Sequence, residues 1–123
     1  MDPDKLRVVA LTNSCEDYQG LHELVWYLNG REPESTEATR IAAASAVLRD
    51  LLKAGYVSLY SSVWASDEWH PVPPEHQLDV VADPAAFAAP PDPPGTYYSY
   101  ASTDAGEQAY RALPASAFEG IVW

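Results

Sequence analysis

The chain has 123 residues, 47% of them hydrophobic, which fits one globular domain and argues against wholesale disorder. No apolar run approaches the roughly 20 residues of a membrane helix, and the single Cys15 rules out an internal disulfide and suits a reducing compartment. Seven Lys and Arg stand against 18 Asp and Glu, a net charge of −11, so the chain would approach a phosphate backbone against its own long-range field. Strong acidity also confers solubility or reflects an acid-rich proteome, so the distribution of charge matters more than its sum. The N-terminal Met1-Asp-Pro-Asp-Lys lacks the basic and apolar regions of a signal peptide, and a cytoplasmic protein is expected.

Taken in order, Lys5 to Thr12 reads as a short apolar strand or extended arm. Ser14, with Asp17 three residues on, reads as the start of a first helix from Cys15 to Asn29, with Tyr18, Leu21, Leu24, Val25 and Leu28 on one face and Gly30 as its stop. Within it, His22 is expected as a surface side chain leaning on Trp26, one turn away. Arg31 to Ser35 is a charged linker. From Thr36 to Ala54 the apolar positions Ile41, Ala44, Leu48, Leu51 and Leu52 recur at helical spacing. That segment forms either one long helix or a broken pair, and Ala42 to Ala44 favour continuity. Gly55 then stands where a helix takes a left-handed terminal residue. Tyr56 to Val63 follows as a strand, with Val57, Leu59, Ser61 and Val63 on one face and Ser58, Tyr60, Ser62 and Trp64 on the other.

Trp64 to Gly95 reads as a long insertion, with a short helix from Glu75 to Ala82 ended by Asp83-Pro84 and a stiff proline tract at Pro90 to Pro94. Thr96 to Ala101 returns as a tyrosine-rich strand, followed by a helix reaching Leu113. The last residues, Phe118 to Trp123, are too apolar for a free terminus and are expected to dock on the body or on a second subunit.

Two segments carry a resemblance. Leu48 to Tyr60, with its Leu-Leu-Lys-Ala-Gly-Tyr-Val run into a strand, resembles the recognition helix and first wing strand of a winged-helix domain. Tyr98 to Leu113 is similar to the second wing strand and final helix of MarR- and PadR-like proteins, with Thr103 as the helix cap and Gly106 as the residue permitting close packing. The resemblance implies an α+β, winged-helix-like fold over residues 1–123. Its helices would pack on a small antiparallel sheet, with residues 64–95 inserted between the wing strands and 114–123 as an apolar tail.

Sites follow from residue types. His70 and His76, with Glu75 and Asp79, lack zinc-site spacing, and neither a nucleophile elbow nor a phosphate-cradling glycine loop is present. No catalytic residue, metal or cofactor is therefore assigned, and a non-enzymatic protein is expected. The winged-helix resemblance implies DNA binding through Arg40, Arg49 and Lys53. Yet no Lys or Arg occurs between Ala54 and Tyr110, where eight acidic residues lie. Aromatics beside those acids suit a protein partner instead, with Tyr60, Trp64, Asp67, Glu68 and Trp69 as the expected contact residues and a basic protein as the partner. The leading expectation is an acidic binding protein of immunity-protein or antitoxin type. A MarR/PadR-like transcriptional regulator is the alternative, and a winged helix that only mediates homodimerisation is the third. The Ala- and Asp-Pro-rich composition hints at a high-GC bacterium.

Overall fold

The computed structural model describes residues 1–63, 66–89 and 95–123. The first helix, α1, spans Pro3–Ser14, where the sequence suggested a strand or arm. The Asp2 side chain accepts the Asp4 N–H at 2.9 Å and Pro3 occupies the first turn, a helix start encoded by two residues ahead of the apolar run. Leu6, Val9 and Ala10 are buried at helical spacing, so the run is the inner face of a helix. Ser14 does not begin a second helix. Its hydroxyl donates back to the Leu11 carbonyl at 2.6 Å and closes the first.

The expected helix from Cys15 to Asn29 is correspondingly shorter. A two-residue strand, β1 (Gln19–Gly20), comes first, and α2 runs Leu21–Arg31 with Gly30 inside it. Its start is set by Glu23, whose Oε2 accepts the Gly20 N–H at 2.7 Å.

Helix α3 (Glu37–Lys53) is continuous. The Thr36 hydroxyl accepts the Thr39 N–H at 3.1 Å, and the helix ends in Gly55 at φ 76°, followed by a Tyr56 N–H to Leu51 carbonyl bond of 3.0 Å. Ala44, Val47, Leu48 and Leu51 are fully inside, while Ile41 and Leu52 sit at the edge of the core.

From Gly55 the chain enters β2 (Val57–Val63), which pairs antiparallel with β4 (Thr96–Ser102) from Val57↔Ser102 to Val63↔Thr96. This is the expected ribbon to within a residue. β1 adds to the free edge of β4 (Gly20↔Ser99), and β3 (His70–Pro71) adds to β2 (Tyr60↔Pro71), giving a four-stranded sheet in the order β1-β4-β2-β3.

Between β3 and β4 lie α4 (Pro74–Ala82) and a 3-10 turn, Pro84–Phe87. This segment is no mere appendage, because Val72, Val81 and Phe87 are buried with the core. The Ser45 hydroxyl on α3 also donates to the Val81 carbonyl at 2.5 Å. The proline tract Pro90–Pro94 lies outside the described residues.

Helix α5 (Asp104–Arg111) begins as its motif requires. The Thr103 hydroxyl accepts the Gly106 N–H at 3.1 Å and donates to the Gly55 carbonyl at 2.6 Å. A Cβ on Gly106 would overlap the Tyr56 carbonyl oxygen, so the helix can sit against the α3–β2 turn only with glycine there. The tail follows a second 3-10 turn (Ala115–Phe118) and docks through Ile121 against the core, Phe118 against Tyr110, and its backbone. The Val122 carbonyl accepts from the Tyr27 hydroxyl at 2.7 Å and from the Arg31 guanidinium at 2.9 and 3.1 Å, while Val122 and Trp123 stay exposed.

Candidate protein-interaction surface

Strand alternation gives the β2–β4 ribbon two faces. Leu59 and Tyr100 point into the helices and are buried. Tyr60, Ser62, Tyr97 and Ser99 share the opposite face, and Ser62 and Ser99 are buried there too. Aromatic rings brought in from two other segments account for that cover.

One ring is Trp69. The buried Ser62 hydroxyl donates to the Glu68 carbonyl at 2.7 Å, and the Ser66 hydroxyl accepts the Glu68 N–H at 3.1 Å. With β3 pairing immediately after, these bonds fix the loop and lay Trp69 over the ribbon. The other ring is Tyr18, just before β1. Trp69 stacks on it with centroids 4.6 Å apart and planes 8° from parallel. Tyr18 meets Tyr60 edge-on at 5.0 Å, and Trp69 meets Tyr97 edge-on at 5.7 Å. The series continues through His22, 5.9 Å from Tyr97, to Trp26, 4.7 Å from His22. Six rings thus run in contact across the sheet from Tyr60 to Trp26.

Beside them opens a cavity of about 150 Å³, lined by Tyr18, Gly20, His22, Glu23, Trp26, Trp69, Tyr97 and Ser99. A Cβ on Gly20 would meet the His22 ring, so any larger residue there would force that ring to move. His22 is 5% exposed, so the expected surface position is wrong although its contact with Trp26 is present. The reason is that Tyr97 of β4 packs against the imidazole from the sheet while Trp26 packs against it from the next turn of α2. Burial pulls the imidazole pKa below its ordinary 6.5 against the opposing field of Glu23, which keeps the ring neutral near pH 7. Burial, reinforced by Glu23, pushes the Tyr97 phenol up, and does the same more strongly for Tyr100 beneath it. Among the described residues the buried Ser99 hydroxyl has no hydrogen-bond partner.

Of the contact residues expected from sequence, the structure joins Tyr60 and Trp69 in one ring series. Asp67 and Glu68 are exposed in the loop leading to Trp69, with Glu68 Oε2 3.7 Å from His70 Nε2. Trp64 lies outside the described residues. Sequence reasoning missed Tyr18, His22, Glu23 and Trp26 as site residues, having placed Tyr18 on a buried helix face. The available signal was Gly20 with Glu23 three residues on, which marks a helix start and frees Tyr18 from the helix.

The residues expected for DNA contact are dispersed along α3. The Arg40 guanidinium turns back to the Ser35 carbonyl and hydroxyl. Arg49 borders a groove of about 490 Å³ whose other wall is Val81, Ala82 and Pro84, and Lys53 is exposed in the last turn. All seven Lys and Arg lie on α1, α2, α3 and α5, and none lines the aromatic cavity. Among the described residues no group of three or more His, Cys, Asp or Glu is placed to hold a metal ion, and no helix is long and apolar enough to cross a membrane. No family model, curated protein or solved structure matches the chain.

Proposed function

We propose that this chain is a non-enzymatic, cytoplasmic binding protein whose aromatic sheet face holds a basic protein partner, in the manner of an immunity protein or antitoxin. The observation that carries the reading is the six-ring series with its acidic border. Trp26 is 54% exposed and Tyr18 38% exposed, and exposed carboxylates adjoin the series, with Asp17 preceding Tyr18, Glu23 lining the cavity, and Asp67 and Glu68 preceding Trp69. Trp and Tyr bury large areas at small cost in rotamer entropy, and acidic borders speed encounter with a cationic surface.

The scaffold is read as winged-helix-like. In support stand the run of α3 through Gly55 into β2, the antiparallel return of β4, the Thr103 cap and the edge pairing of β1. That order favours the MarR/PadR-like regulator as the second reading. Against it stand α4 and the Pro84–Phe87 turn laid along α3, the engagement of Arg40 by Ser35, and a ribbon without a single cation to meet phosphate.

The test is recovery of partners from native lysate on the immobilised chain and on Trp69→Ala. A basic protein held by the parent, with affinity lower by about 2 kcal/mol or more for the variant, is the expected outcome. Recovery of duplex DNA with a steep salt dependence, lost on neutralising Arg40 and Arg49, would decide for the regulator.

A further inference from the structure

We propose that the cavity bordered by Trp26, Trp69 and Glu23 receives one cationic side chain of the partner, the guanidinium of an arginine or the ammonium of a lysine. This rests on the protein-binding reading above and assigns the anchor that reading lacks.

The cavity is small. At about 150 Å³ the cavity is well below the roughly 300 Å³ at which pockets for whole small molecules begin, and it suits a single side chain. Its walls suit a cation. Ring faces carry the negative end of the aromatic quadrupole, and a cation over a tryptophan is the most favourable such pairing. Trp26 meets His22 only edge to face and keeps more than half its surface in solvent. Glu23 adds a formal negative charge, held in place because one carboxylate oxygen accepts the Gly20 N–H.

Ser99 favours the same guest. It lines the cavity, and its buried hydroxyl has no hydrogen-bond partner among the described residues, a condition that costs free energy unless an incoming group satisfies it. An N–H donor from a guanidinium or ammonium does so, and an apolar occupant would not. Nothing on the wall opposes a cation, because no Lys or Arg lines it and His22 is kept neutral by burial. An anion would meet Glu23 in the cavity and Asp67 and Glu68 outside.

The experiment is a titration of the whole chain, followed by amide and indole NMR signals. The probes are N-acetyl-arginine N-methylamide, its lysine counterpart and the neutral isostere made from citrulline. Arginine and lysine should move the Trp26 and Trp69 indole signals and the Ser99 amide, with citrulline about tenfold weaker or worse. Glu23→Gln keeps an oxygen for the Gly20 N–H and should weaken arginine by about the same factor. Trp26→Ala, at a position more than half exposed, serves as the second variant and should also lose the response.

Citrulline binding as tightly as arginine, or arginine shifts mapping away from this cluster, overturns the proposal. Unchanged arginine affinity in Glu23→Gln does so too. Capture of a basic protein by a chain whose cluster ignores arginine removes the cavity's role and leaves protein binding standing. Arginine binding in a chain that captures no basic protein keeps the cation site and removes the macromolecular partner.

Discussion

The two faces of the β2–β4 ribbon are closed by different means. On one, Leu59 and Tyr100 meet Leu48, Leu51 and the buried faces of α1 and α2, and aliphatic side chains fill the space. On the other, Ser62 and Ser99 are covered by rings held over them from Tyr18 and the Trp69 loop, and that cover stays open to solvent along Trp26. An aliphatic core has nothing left to bind. A ring layer that is partly exposed, keeps beneath it a hydroxyl with no partner among the described residues and carries only negative charge at its border retains binding capacity at some expense in stability.

The difference is sharpest in truncations. Leu48→Ala removes a fully buried side chain from the helical side and should destabilise by about 2–5 kcal/mol in chemical or thermal unfolding. An unchanged melt would take α3 out of the core. Trp69→Ala on the opposite face removes two ring contacts, each worth about 0.5–1.5 kcal/mol, so a loss of about 1–3 kcal/mol is expected. If Trp69→Ala proves as costly as Leu48→Ala, the outer layer is a second core and the contrast fails.

What the sequence disclosed follows the range of the interactions. Gly55, Thr103 and Gly106 were legible because a helix stop, a cap and a close approach are each set within a few residues. The ribbon was legible because Val57, Leu59 and the tyrosines of β4 alternate. Helix α1 was not, since a nearly continuous apolar run satisfies both periods and Asp2-Pro3 decides only when read as a cap. The ring layer was hidden for another reason. Tyr18 reaches Trp69 only because two two-residue strands, β1 and β3, attach to opposite edges of the ribbon, and pairs so short leave no periodic trace.

Acid should act on the outer face before the core. His22 has its pKa lowered in the folded chain by burial, so below about 6.5 the unfolded state takes up a proton that the folded state refuses. This contribution to stability is complete above the unfolded value and is lost as pH falls from there towards the folded one. Unfolding free energies of the parent and of His22→Gln, compared at about pH 7.5 and about pH 5.5, should diverge, with the parent losing more. A parent that gains on the variant as pH falls would mean that His22 is stabilised as a cation by Glu23, and the cavity would then be less suited to a cationic guest.

The smallest effect expected is also the most discriminating. Ser99→Ala deletes a hydroxyl that lies buried without a partner among the described residues, on a strand whose neighbours Tyr98 and Tyr100 face the other way. Removing an unsatisfied polar group gives back its desolvation penalty, so the variant should be as stable as the parent or more so, by up to about 1 kcal/mol. A hydroxyl engaged in a structural hydrogen bond would behave oppositely, because its loss would strand a buried partner at a cost of about 1–3 kcal/mol. The unfolding measurement therefore separates a hydroxyl that maintains the sheet from one available to a guest. An increase in stability paired with weaker binding of the arginine probe would place Ser99 with the open face in purpose as well as position. A clear destabilisation would return it to the scaffold and leave Trp26, Trp69 and Glu23 to hold a cation without it.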